Sequence, residues 1–212
     1  MRIEVLDDPA ATVAELLSAA SGHVVLTGGS SPRRAYELAA SGDWTGKTLW
    51  FGDERRVPPD HEWSNYRMAD EALLSKLDPR PEALRMEDAD GFEALVRERL
   101  GAEQQQVPAR LGLGPDSHTA SLFPGKPEVD VTDRLVVDVP VAGMDPQVPR
   151  ITLTLPAINA ARHIVFLVTG ESKREAVQRA FGDEPDPTSP AAHVRPTDGE
   201  LTVYLDRAAA PG

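Results

Sequence analysis

The sequence contains no cysteine, which removes disulfides, thiolate zinc sites and cysteine nucleophiles together. Aromatic residues are scarce, at 5% of 212, so a core has to be built mainly from aliphatic side chains. Cations are in deficit: 22 Lys and Arg against 34 Asp and Glu leave a formal charge of −12. Duplex DNA and anionic membranes both reward clustered Lys and Arg, so neither is an expected partner. A small anionic ligand stays compatible with this charge, because a few local cations can dominate one pocket. No stretch approaches 18 consecutive apolar residues, so no bilayer-spanning segment is expected. The opening Met1-Arg2-Ile3-Glu4-Val5-Leu6-Asp7-Asp8 turns acidic too early for a secretory signal. These absences lead to the expectation of a soluble, cytoplasmic protein, with a monomer as the default state.

Hydrophobic residues at 41% and charged residues at 26% form an ordinary globular balance. A chain of this length buries roughly 70% of its unfolded surface, enough for one sizeable core, and no Gly-, Ser- or Pro-rich linker divides it. A single domain over residues 1–212 is therefore expected. Its organisation recurs in kind: an apolar run, a turn bearing Gly or Asp, then a helical pattern. His23-Val24-Val25-Leu26-Thr27 precedes Gly28-Gly29-Ser30-Ser31-Pro32, and a helix is expected over Arg33–Ala40 with Ser31 as its cap. Val13, Leu16, Leu17 and Ala20 give the stripe of an amphipathic helix upstream.

Lys47–Phe51 reads as a strand entering Gly52-Asp53-Glu54-Arg55, and Ser64 is placed to cap the next helix. Phe92, Leu95, Val96 and Leu100 mark another helix. Ala109–Leu113, Leu135–Val139, Ile151–Leu155, His163–Val168 and Leu201–Leu205 read as strands, the last as an edge candidate. The Pro-rich tract Glu184–Pro190 reads as a surface connection. Strands alternating with helices imply an α/β fold, doubly wound, with a mainly parallel sheet and helices on both faces. Continuously apolar strands fit that burial.

Polar clusters follow four of these strands, and in a parallel sheet all the C-terminal strand ends open on one rim. Gly28–Pro32, Asp53–Arg55, Asp116–His118 and Gly170–Lys173 are thus expected to converge. Adjacent Gly28 and Gly29 before a helix start suit a phosphate, with Ser30 and Ser31 as further donors. Lys173 and Arg150 are candidate cations for the same anion. Asp53-Glu54-Arg55 offers carboxylates beside a guanidinium. Asp116-x-His118 is the sharpest signal, since imidazole moves protons near neutral pH and a nearby carboxylate fixes its tautomer. His23, His61, His163 and His193 show no metal-ligand spacing, so no metal site is expected. Gly112-x-Gly114 is only half of a dinucleotide fingerprint, because Ser117 stands where a third glycine belongs.

Together, four segments resemble the 6-phosphogluconolactonases, lactone hydrolases of the oxidative pentose phosphate pathway. They are Leu26–Pro32, Gly52–Pro58 with Ser64-Asn65-Tyr66, Leu113–Pro124 ending Ala-Ser-Leu-Phe-Pro, and Val168–Lys173. Val194-Arg195-Pro196 and Leu201–Asp206 fit as well, so the likeness runs over nearly the whole chain. The resemblance implies a sugar-phosphate-isomerase-like fold, a modified Rossmann arrangement, with no cofactor. It assigns phosphate binding to Gly28, Gly29, Ser30, Ser31, Arg150 and Lys173. It assigns lactone-site roles to Asp53, Arg55, Asp116 and His118, with His118 as general base and Arg55 or backbone donors near Gly114 at the oxyanion.

Two departures from the family stand out. Ser117 replaces a glycine, at about 1 kcal/mol if φ is positive there, and Val107-Pro108-Ala109-Arg110 interrupts an apolar strand whose start is therefore expected late. Alternatives are an amino-sugar-phosphate isomerase/deaminase, whose motif continues Ala-Phe-Asn-Glu where this chain has Ala120-Ser121-Leu122-Phe123, and a non-catalytic sugar-phosphate sensor.

Overall fold

The computed structural model describes residues 1–101 and 108–211. In chain order the first half runs β1 (Arg2–Val5), α1 (Pro9–Ala19), β2 (His23–Leu26), α2 (Ser30–Ala39), β3 (Thr48–Phe51), β4 (Asp53–Arg55), α3 (Asn65–Ala72), β5 (Glu82–Ala83) and α4 (Ala89–Arg99). The second half runs β6 (Pro108–Leu111), β7 (Val136–Val139), β8 (Arg150–Leu153), α5 (Leu155–Asn159), β9 (His163–Val168), α6 (Arg174–Phe181) and β10 (Glu200–Leu205).

Seven strands form a parallel sheet in the order β1-β10-β9-β6-β2-β3-β5. From β2 the chain builds outward through β3 to β5. It then returns to β6 and continues the other way through β9 and β10. The switch in direction therefore falls between β2 and β6, where the loops leaving the two strands part and open a crevice. α1 and α2 pack on each other over one face, with α3 beside them through Tyr66 against Phe51 at 5.9 Å. The other face carries α4, whose Phe92 meets Trp50 at 5.7 Å, and α6, whose Phe181 meets Phe166 at 4.9 Å. Burial on both sides accounts for strands such as Ile164-Val165-Phe166, all fully enclosed.

Several expectations are corrected. β7 and β8 do not join the parallel sheet but pair antiparallel with each other and with β4 in a separate three-stranded sheet. No helix separates β7 from β8, and a parallel crossover needs one or a comparable length of chain. The Asp53-Glu54-Arg55 segment is thus a strand, not a free turn. β10 is interior and not an edge, because β1, which no sequence pattern marks, pairs beyond it. α2 begins at Ser30, and Gly29, not Ser31, occupies its cap. Ser31 lies inside the first turn, its hydroxyl bonded to that of Thr169. β6 starts at Pro108, the strand position where a missing N–H is least harmful. Val107 lies outside the described residues. The Pro-rich tract is exposed only in part: Ser189 and Pro190 are buried, and the following Ala191 N–H donates to the Ser117 carbonyl at 3.2 Å.

Candidate active site

The loops after β2 and β6 face each other across the switch point around a cleft of about 200 Å³. Gly28, Gly29, Asp53, Arg55, His118, Arg150 and Lys173 all line it. Asp116 stands behind His118, and Ser30 and Ser31 fall outside the lining. Asn65, Thr27 and Met144 line it too, and no motif in the sequence marks them for a role there.

The His118 turn is built on Gly114. A methyl group there would overlap the imidazole and the Asp116 carboxylate, so only glycine lets the pair fold back over the chain. His118 Nδ1 lies 2.6 Å from Asp116 Oδ1, which also accepts the His118 backbone N–H at 3.1 Å. An ionised carboxylate only accepts, so Nδ1 carries the proton and Nε2 is left as the basic nitrogen. Burial pushes the Asp116 carboxyl up, but the hydrogen bonds and charge of His118 outweigh it and hold the group below its ordinary range. The Phe123 ring backs the imidazole at 4.7 Å and carries the Arg150 guanidinium 5.2 Å from its centre, so base and cation share one aromatic support.

Ser117 sits at φ 69° and Ala120 at φ 50°, both left-handed, on either side of His118 and Thr119. Strained backbone of this kind persists where the surroundings over-determine it. Ser117 is fully buried; its N–H donates to the Gly114 carbonyl at 3.0 Å, and its hydroxyl donates to the Asp116 carbonyl. Ser117→Gly is expected to leave turnover intact and to change stability by no more than about +1 kcal/mol, strain relief being offset by unfolded-chain entropy. A thermal melt checks this, and a clear loss of stability would contradict it.

Three cations reach the cleft. Arg55 and Arg150 are directly opposed across the β4–β8 ladder, an arrangement of like charges that costs stability unless an anion joins them. Arg55 donates from Nη1 to the Trp63 carbonyl at 2.7 Å. Arg150, 2% exposed, donates to the Pro146 carbonyl at 3.2 Å. The buried Nε atoms of both have no partner among the described residues. Lys173 donates from Nζ to the Leu113 carbonyl at 2.7 Å, leaving two further N–H groups. Burial lowers the pKa of both Arg150 and Lys173. Against these cations the wall presents, among the described residues, one carboxylate, Asp53, so the cleft is locally cationic on a chain of charge −12.

One expected donor is taken: the Gly114 N–H already serves the His118 carbonyl at 2.8 Å. Among the described residues no group of three or more His, Asp or Glu is placed to hold a metal ion, and no helix is long and apolar enough to cross a membrane.

Residues 4–203 match the model of the family described as glucosamine-6-phosphate isomerases/6-phosphogluconolactonase. A 6-phosphogluconolactonase of Synechocystis sp. is 41% identical over 204 residues, 89% of this chain and 83% of that protein. The crystal structure of 6-phosphogluconolactonase from Thermotoga maritima superposes with a TM-score of 0.80 at 31% identity, over 97% of this chain and 98% of that one. A monomeric glucosamine-6-phosphate deaminase superposes with a TM-score of 0.81 over 99% and 98% of the two chains. At 17% identity this last likeness shows the fold alone.

Proposed function

Because the chain belongs to the glucosamine-6-phosphate isomerase/6-phosphogluconolactonase family, we propose that it hydrolyses 6-phospho-D-glucono-1,5-lactone to 6-phosphogluconate with His118 as the general base. The observation that carries this reading is the Asp116–His118 pair opening on the same cleft as a glycine turn and three cations. The phosphate does not react. Seated against Gly28, Gly29, Arg150 and Lys173, it supplies binding energy that holds the ring ester at the imidazole.

His118 Nε2 takes the proton of the attacking water. Asp116 stabilises the imidazolium that forms, and Arg55 faces the charge developing on the carbonyl oxygen. The imidazolium then returns the proton to the departing ring oxygen. A serine nucleophile is not needed, since no Gly-x-Ser-x-Gly elbow is present and a cyclic ester is already labile to water.

The test is to generate the phosphorylated lactone in situ and compare its decay with buffer alone, because this ester also opens spontaneously. Faster decay in proportion to added protein is expected, and decay equal to the buffer control would refute the reading. Arg150→Ala and Lys173→Ala should each raise KM for the phosphorylated lactone by roughly 10- to 100-fold, the value of one charged hydrogen bond, with a smaller change in kcat. Steady-state kinetics with a melting curve as folding control measure this. Unchanged KM in both variants would remove the two residues from phosphate binding.

A further inference from the structure

Asp53 is 4% exposed and lines the cleft, yet among the described residues no basic side chain hydrogen-bonds to it. Both carboxylate oxygens are held by neutral donors instead. Asn65 Nδ2 donates to Oδ1 at 3.1 Å, and the Ser121 hydroxyl donates to Oδ2 at 2.7 Å. A buried carboxylate needs hydrogen bonds to remain charged. An arginine would meet that need while also cancelling the charge. Two neutral donors fix its direction and leave its negative field acting on the cleft.

Each donor is itself locked. Asn65 Nδ2 also donates to the Asp53 carbonyl at 2.9 Å, so the amide is gripped twice by one residue. Its backbone N–H donates to Glu54 Oε1 at 2.7 Å. Glu54 further accepts the N–H groups of Arg55 and Tyr66 and the Ser64 hydroxyl, which docks the first turn of α3 against β4. The same amide lies close on Gly28, where any side chain would overlap it, its oxygen first. Ser121, fully buried, donates its N–H to Thr152 Oγ1 at 3.1 Å, and Thr152 is the β8 residue paired with Asp53. Ser121 also belongs to the turn that carries His118. Asp53 is thereby tied on one side to the phosphate-side glycine turn and on the other to the turn of the base.

We infer that Asn65 and Ser121 are positioning residues that act through Asp53, aiming its carboxylate as a fixed acceptor for a substrate hydroxyl or the attacking water beside His118. The inference rests on the lactonase reading above.

The test is a set of double-mutant cycles on lactone turnover, with melting temperature recorded for every variant. Asn65→Ala and Ser121→Ala should each lower kcat by about 10- to 100-fold with KM changed less than about 3-fold. In an Asp53→Ala background either change should alter kcat by less than about 3-fold, because the group it aims is gone. Ser121→Thr, which keeps a hydroxyl, should recover most of the activity lost in Ser121→Ala. Full multiplication of the losses in the Asp53→Ala background, or losses that follow melting temperature alone, would overturn the inference while leaving the lactonase reading in place. No turnover by the parent protein would remove both. Should Asn65→Ala fail to fold, the Ser121 cycle decides the matter by itself.

Discussion

Replacing His118 by Asn is expected to lower kcat by about 10²–10⁴-fold while KM for the phosphorylated lactone moves little. Asn can still donate to Asp116 but has no basic nitrogen, so the variant separates proton transfer from the polarity of the site. Arg150 and Lys173, the proposed phosphate partners, also line the cleft but take no part in the proton transfer, so they should hold the substrate as before. The spontaneous rate must be subtracted at every concentration, since it sets the floor of the assay. Near-normal turnover would take His118 out of the mechanism.

The Asp116 partner adds a pH dependence whose sign follows from its depressed pKa. Its interaction with His118 stabilises the fold above the ordinary carboxylate value of 3.8. That contribution is lost as pH falls through the lower folded value.

Arg110→Met is expected to stabilise the protein by about 2–3 kcal/mol, a rise in melting temperature of roughly 4–12 °C. Arg110 lies within β6, between β9 and β2 in the middle of the parallel sheet, and is 4% exposed. Among the described residues its Nε and Nη1 have no hydrogen-bond partner and no carboxylate meets it. The nearby Tyr36 hydroxyl is already committed, donating to the Thr27 carbonyl and accepting its N–H. Burial pushes the guanidinium pKa well below the ordinary arginine range, down to about 10, a drop that corresponds to on the order of 3 kcal/mol.

The sign is that of a depressed base. Below about pH 10 folded and unfolded chains are both charged, so the cost is carried in full. It fades only as pH rises from there toward the ordinary arginine range. The stabilisation should therefore be undiminished at neutral pH, and turnover should survive, since Arg110 does not line the cleft. A lower melting temperature would show that the guanidinium has a role in the fold that its surroundings do not reveal.

The legible parts of this protein are those in which local chemistry repeats. His23–Leu26, Thr48–Phe51 and His163–Val168 are apolar runs that end in Gly or Asp. A parallel sheet brings such ends to one rim, so the sequence alone places Gly28, Asp53, His118 and Lys173 together. Distances decided by tertiary register were not legible. Nothing in the spacing of Arg55 and Arg150 says that they oppose each other across an antiparallel ladder. Ser64-Asn65 reads simply as a helix start, and the return of the loop to lay Asn65 on both Asp53 and Gly28 is a packing outcome.

The Ser-Pro signal for a helix cap failed for a local reason. Gly29, at φ 113°, takes the cap without help from a side chain, and the Ser31 hydroxyl turns to Thr169. Ser117 was legible as a departure from glycine. Only its backbone angle shows that the position does require the left-handed region.

A crystal structure with 6-phosphogluconate, the expected product, tests whether the glycine turn and the imidazole serve one ligand. The phosphate is expected at the Gly28-Gly29 turn within hydrogen-bond reach of Arg150 and Lys173, with the C1 carboxylate beside His118 and Arg55. A phosphate seated against His118, or bound in the separate cavity beside Arg56 and Arg85, would contradict it.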